Sequence, residues 1–322
     1  MQPSGPGGRE RLACSVVLPF RRPPAPAPIQ YIDRRSGELR TEVVLGEALV
    51  RFVYERISGR FLRRAVLTRP GFSKLYGRYQ SSPWSRRAIA ETVRKLAIDM
   101  EDYEVPPGGF RHFNDFFTRR LRPGARPVEA DPRRLISPAD GRTFVYTEVQ
   151  GDTLLPAKGR SLSLRALLGG DEVARPFRDG VVFIVRLCPS DYHRFHFPCA
   201  GEAGAPRTLA GPLESVNPWA LARGRPILDT NQRDLTLIDS PTFGRIAYLE
   251  IGAMCVGSIV HTFRAGPVEA GQEKGYFQFG GSTVVLVFEP GRVAVDEDLV
   301  ANTREGLETF LRMGEGVATA VS

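Results

Sequence analysis

The chain has 322 residues, 42% of them apolar and 25% charged, which is enough to bury a sizeable core and excludes a chain disordered throughout. Its 44 basic residues exceed its 36 acidic ones by eight, and only Lys74, Lys95, Lys158 and Lys274 are lysines. An anionic partner is therefore favoured and chemistry built on a lysine Schiff base has few candidates.

Residues 1–40 read as a flexible Pro/Gly-rich tail, stiffened by Pro23-Pro24-Ala25-Pro26-Ala27-Pro28. Nothing in them, and no run elsewhere, approaches the ~18 apolar residues of a membrane span. The Cys14–Phe20 patch is too short and too late for a secretory leader. Cys14, Cys188, Cys199 and Cys255 form no C-x-x-C pair and read as reduced thiols.

Residues 41–104 read as a basic amphipathic helical region. Val44, Leu45, Ala48, Leu49, Phe52, Val53, Ile57, Phe61 and Leu62 recur at helical spacing, interleaved with Arg51, Arg56, Arg60, Arg63 and Arg64. A second stretch surrounds Phe72, Leu75 and Tyr76, and a third helix is expected from Pro83 to Met100. Two readings stand side by side: a face packed on the main domain with solvated arginines, or a membrane-docking face with arginines on anionic head groups.

After the break at Pro106-Pro107-Gly108-Gly109, one more helix is expected over 110–121. Short β-type runs follow at 142–149, 181–187, 235–238, 245–251, 256–263 and 283–288, punctuated by Gly and Pro. No βαβ alternation appears. The expected fold class is α+β: a compact β-rich catalytic domain over 105–322, sandwich- or barrel-like, with amphipathic helices N-terminal to it.

Three segments carry chemistry: Ser137-Pro138-Ala139-Asp140-Gly141, the 188–198 stretch with His193 and His196, and Phe279-Gly280-Gly281-Ser282 leading into an apolar strand. Alone, Asp140-Gly141 reads as a turn and a Gly-Ser step as a loop. His193-x-x-His196 lacks a third ligand at metal-site spacing, so no metal is expected. Together the segments supply Asp140, His196 and Ser282, the parts of a nucleophilic triad, which a serine hydrolase would use. Val284 stands where G-x-S-x-G requires glycine, so the nucleophile elbow is absent. Self-cleavage explains the glycines better. The Gly281 carbonyl has no side chain shielding it, and glycine tolerates the backbone such an attack needs. Ser282 attacking that carbonyl would give an ester, then a dehydroalanine, then a pyruvoyl group, an electron sink for decarboxylation that replaces pyridoxal phosphate.

Five ordered segments carry a resemblance: FNDFFTRRLRPGARPV (113–128), SPADG (137–141), PSDYHRFHFP (189–198), IGAMCVGSI (251–259) and GYFQFGGSTVVLVFEPG (275–291). Over about 113–293 the chain resembles the phosphatidylserine decarboxylases. The resemblance implies a proenzyme cut between Gly281 and Ser282 into two chains. Ser282 would be the pyruvoyl precursor, and the product phosphatidylethanolamine and CO2 would arise through a Schiff base on the pyruvoyl cofactor. It also implies that His196, oriented by Asp140, activates Ser282, and that His193 serves decarboxylation. The residues alone do not separate the two histidines. The second Gly-Ser step, Gly257-Ser258, is not the cut in that pattern. Ala270 and Gln232 stand where the family usually carries lysine and glutamate, which leaves the substrate less certain than the reaction; another amino-acid-bearing substrate is the alternative. The expected partners are an anionic phospholipid surface and a second copy in a dimer, with no nucleic acid, and the expected location is peripheral, on the cytoplasmic face of a bacterial membrane.

Overall fold

The computed structural model describes residues 28–43, 67–68, 70–149, 154–155, 160–215, 227–253, 258–279 and 282–321. The tail over 1–27, the apolar-arginine pattern from Val44 to Arg64, and Cys255, Gly257 and Gly281 lie outside the described residues.

Two strands open the fold, β1 (Gln30–Asp33) and β2 (Glu38–Thr41). Helices α1 (Pro70–Gln80), α2 (Arg87–Lys95) and α3 (Phe113–Phe117) follow, with a 3₁₀ turn at Pro83–Arg86. Next come β3 (Arg134–Ile136), β4 (Gly141–Val149), β5 (Leu154–Leu155) and β6 (Arg160–Ser161). Helices α4 (Leu164–Leu168) and α5 (Asp171–Ala174) lead to β7 (Gly180–Leu187), β8 (Arg194–His196), β9 (Gly201–Ala203) and β10 (Arg207–Leu209). Short α6 (Ile227–Thr230) precedes β11 (Arg233–Ser240), β12 (Gly244–Ile251), β13 (Ile259–His261), β14 (Gly266–Val268), β15 (Glu273–Phe277) and β16 (Ser282–Phe288). The described chain closes with β17 (Val293–Val295), α7 (Glu297–Arg304), β18 (Glu308–Leu311) and β19 (Gly316–Ala320).

The largest sheet runs β14-β9-β11-β12-β16-β7-β4-β18-β1-β2, with β10 beside β11; β13-β15-β8 and β17-β19-β3 form two smaller sheets. All are open, so the α+β expectation holds without a closed barrel. The central strands β7 and β16 are buried along their whole length, which is why they read as unbroken β-branched runs rather than alternating ones. Val284, Leu286 and Phe288 face one core, shared with residues of the small sheets such as Phe195, Phe277 and Val317. Val285 and Val287 face the other, which α4 covers with Leu164, Leu167 and Leu168. The molecule is thus layered: helices, large sheet, small sheets.

Three expectations need correcting. A tail through residue 40 fails from Gln30 onward. The β1–β2 hairpin lies at the edge of the large sheet, where Tyr31, Ile32 and Asp33 pair in parallel with Glu308, Thr309 and Phe310. Arg34 fixes it there by pairing with Asp296 and Asp298 and donating to the Gly316 carbonyl. Among the described residues the α-helices of the 41–104 region begin at Pro70, and the last of them ends at Lys95, not Met100. The helix expected over 110–121 is one turn shorter at each end. His112 caps it by accepting from the Asp115 N–H, and beyond Thr118 the chain turns so that Arg119 points inward.

Candidate functional site

The strand register brings the three chemical segments to one end of the large sheet. Ser282, which opens β16, sits opposite Leu187, which closes β7. Arg142 near the start of β4 sits opposite Arg186 near the same end of β7. Asp140, the turn after Leu187 and Ser282 therefore occupy one edge. Gly141 is not a left-handed turn residue here. It is needed because a Cβ at that position would lie 2.7 Å from Val185 Cγ1 and 3.0 Å from the Arg186 carbonyl oxygen. It lets β4 close on β7 with Asp140 at its tip.

The Ser282 side chain is fully buried, and its hydroxyl has no hydrogen-bond partner among the described residues. His193 is equally buried. Its Nδ1 lies 3.0 Å from the Asp191 carbonyl; a carbonyl only accepts, so Nδ1 carries the proton. The lone pair of Nε2 is left without a partner among the described residues. Burial, reinforced by the Arg119 charge, pushes His193 down to about 3. It is a neutral imidazole with an uncommitted base. Its ring packs at 3.8 Å on Phe117.

His196 is held at both nitrogens. Nδ1 donates to the Gly271 carbonyl at 3.0 Å, and Nε2 accepts from the Tyr192 hydroxyl at 3.2 Å. Burial lowers its pKa; the Gly271 carbonyl and the charges of Glu273 and Asp140 oppose the shift. The structure shows no hydrogen bond between Asp140 and His196. Asp140 is engaged by Arg126, by Nε at 3.1 Å to both oxygens and by a second nitrogen at 2.7 Å, and by the Met313 N–H at 2.8 Å. The link between them is through the main chain, since the His196 N–H donates to the Pro138 carbonyl two residues ahead of Asp140. Of the two Nε2 atoms, which carbonyl-bound Nδ1 groups would leave facing outward, that of His196 is taken by the Tyr192 hydroxyl. Among the described residues no group of three or more His, Cys, Asp or Glu side chains is placed to hold a metal ion.

Sequence reasoning missed the residues that shape this edge. The Asp191 carboxylate accepts from Arg142 at 2.5 Å, from the Cys188 N–H at 2.7 Å and from Ser190, locking the turn that presents His193. Arg142 and Arg186 are themselves buried against Glu42 and Glu308. Arg119 lies flat on Tyr103, 4.2 Å from the ring centroid, and donates to the Ser190 and Asp191 carbonyls. The same Asp191 carbonyl thus receives both Arg119 and His193. In the sequence Arg119 is one of forty arginines, and only the inward turn after Thr118 distinguishes it. Asn114 completes the list, through its contact with Phe279 of the third segment. The Phe279 N–H donates to Asn114 Oδ1 at 2.9 Å, and its ring packs edge-on to Phe113 and Phe117 at 4.9 and 5.1 Å. The repeated FNDFF aromatics were the available signal, although they read first as a helix.

The chain matches the family model described as phosphatidylserine decarboxylase over residues 113–319. It is 40% identical over 288 residues to a phosphatidylserine decarboxylase proenzyme of Fusobacterium nucleatum, covering 89% of this chain and 96% of that protein. Proteins of the same description from Chlamydia muridarum and Clostridium kluyveri are 41% and 39% identical, over 91% and 90% of this chain and 97% and 98% of theirs.

Proposed function

Because the chain belongs to the phosphatidylserine decarboxylase family, we propose that it cuts itself between Gly281 and Ser282 and then releases the carboxylate of phosphatidylserine as CO2, leaving phosphatidylethanolamine. The observation that carries this reading is the Ser282 hydroxyl, fully buried and unpartnered among the described residues at the head of a central strand. An unsatisfied buried hydroxyl costs about 1–3 kcal/mol, which a group with a chemical task justifies.

The balance of the self-cleavage is simple. Ser282 Oγ bonds to the Gly281 carbonyl carbon and the amide C–N bond breaks, leaving an ester and a free amine. Loss of the Ser282 Cα proton breaks the Cβ–O bond, frees the Gly281 carboxylate and leaves dehydroalanine. Water replaces the nitrogen, ammonia departs, and residue 282 is a pyruvoyl group at the head of a 41-residue chain. That group supplies an electrophilic carbonyl for the substrate amine and a sink for the electrons the carboxylate leaves behind. The start of β16 that would carry it is buried, and three residues ahead of it the Phe279 ring packs on Phe113 and Phe117.

His196 is proposed as the base that takes the Ser282 proton, with the Asp140 charge favouring its protonated form, and His193 as the proton-handling group of decarboxylation. One observation favours exchanging them: Nε2 of His193 is free, whereas Nε2 of His196 must first release Tyr192. Membrane docking is supported by exposed Leu75, Tyr79 and Trp84, set among exposed Arg78, Arg86 and Arg87. Exposed apolar side chains close in sequence to guanidinium groups, with Arg87 over the Trp84 ring, suit an anionic lipid surface.

The test is the intact mass of freshly purified protein beside Ser282→Ala. A blocked 41-residue fragment, lighter than its serine form by the mass of one ammonia and absent from the variant, is expected. A single uncut chain in both would overturn the reading.

A further inference from the structure

Phe279 lies three residues ahead of Ser282, so its position limits where the intervening chain can go. At 3.3–3.6 Å per extended residue, three residues reach at most about 11 Å. What holds Phe279 therefore restricts how the carbonyl before Ser282 meets its hydroxyl. Two sets of contacts hold it. Its ring is edge-on to Phe113 and Phe117 and 5.9 Å from Tyr76 of α1. Its N–H has Asn114 Oδ1 as acceptor at 2.9 Å.

Asn114 is only 4% exposed, and every arm of its amide is engaged. Nδ2 donates to the Gly77 carbonyl at 3.3 Å and to Ser81 Oγ at 2.9 Å. A carbonyl cannot donate, so Gly77 fixes which end of the amide is nitrogen and leaves the oxygen for Phe279. The Phe117 ring also carries the His193 ring, with centroids 3.8 Å apart. One short helix thus holds the segment leading to Ser282 at one point and a site histidine at another.

We infer that Asn114 is a positioning residue for self-cleavage: by accepting from the Phe279 N–H it sets the approach of the Gly281 carbonyl to Ser282 Oγ. The inference rests on the reading of Ser282 as the self-cleaving nucleophile. It differs from a purely structural role, in which Asn114 would only tie α1 to α3 through Nδ2. The two arms are chemically separable. Asn114→Asp keeps an acceptor for Phe279 and loses the donor to Gly77 and Ser81. Asn114→Leu keeps the volume and loses both, and Ser81→Ala removes only one acceptor of Nδ2.

The experiment follows conversion of newly synthesised full-length chain into two chains, with the thermal midpoint of each variant measured in an uncut Ser282→Ala background. Misplacement of a reacting group by about 1 Å costs on the order of 100-fold, so Asn114→Leu is expected to slow cleavage about 10- to 100-fold. Asn114→Asp and Ser81→Ala should stay within about threefold of wild type even where their midpoints fall as far. Hydroxylamine, which cuts an ester and not an amide, should fail to restore cleavage of Asn114→Leu, because the lost step is the attack. Asn114→Ala replaces the leucine variant if the latter is insoluble. Cleavage of Asn114→Leu at the wild-type rate, Asn114→Asp as slow as Asn114→Leu, or rescue by hydroxylamine would each overturn the inference while leaving the function standing. A wild-type chain that is never cut would overturn both.

Discussion

His193 and His196 stand three residues apart on one segment, and their surroundings are finished in opposite ways. Around His196 each ring nitrogen has a partner, and neighbouring Asp140 is gripped by Arg126 and Met313. Around His193 the ring's one hydrogen bond is through Nδ1, and Nε2, like the Ser282 hydroxyl, has no partner among the described residues. Buried polar groups are nearly always paired, so a cluster of unpaired ones marks where the molecule gives up stability. The completed pocket holds its geometry; the incomplete one keeps atoms available.

The strongest way to break the comparison is to remove its two uncommitted atoms in turn. Ser282→Ala should give a full-length chain with decarboxylation at background, read by intact mass and CO2 release; a normally sized fragment would take Ser282 out of the mechanism. His193→Ala should still be cut yet turn over about 10²–10⁴-fold more slowly, while His196→Ala should stop cleavage. The reverse pattern would assign the free nitrogen of His193 to Ser282.

A smaller effect sharpens the contrast through pH. The folded His193 value of about 3 lies below the unfolded value near 6.5. The unfolded chain therefore takes up a proton below pH 6.5 that the folded chain refuses, and stability falls with acidification until about pH 3. At about 1.4 kcal/mol per pH unit, this contribution is about 2 kcal/mol between pH 7 and pH 5. Denaturant unfolding of the uncut Ser282→Ala chain should show it, and adding His193→Gln should remove it; equal losses in both would mean His193 is not held neutral by burial. The smallest effect comes from Tyr192→Phe, which makes the second pocket resemble the first. It should lower stability by about 1 kcal/mol and leave cleavage within a few-fold, whereas a large fall in cleavage would make the Tyr192 hydroxyl a participant.

How much of this was legible depended on whether the cause was local. The 181–187 and 283–288 runs announce buried strands because both faces of each are covered, and the three chemical segments stand out by composition. The β1–β2 hairpin does not, since Tyr31 finds Glu308 some 280 residues later and its four-residue strands set only Tyr31, Ile32 and Leu39 among polar side chains. Arg119 and Asn114 were equally silent, and Asp191 stood out only as part of the 188–198 stretch. Each acts through contacts with distant segments, and no periodicity encodes that Arg119 and His193 meet on one carbonyl. The Asp140–His196 relation was half legible: the residues converge, but Arg126, indistinct among so many arginines, takes the carboxylate.

The place of β16 has one more consequence. It lies between β12 and β7, and the strands after it are woven in as well, β18 between β4 and β1 and β19 between β17 and β3. The middle of the large sheet therefore cannot close until the 282–322 stretch has been synthesised, so assembly precedes any cut ahead of Ser282. After such a cut, the fragment is retained by its neighbours rather than by a covalent link, and an unfolded molecule would have to regain its central strand by collision with a separate chain. The mature protein would fold once: its lifetime is governed by how slowly it opens, not by how readily it could refold.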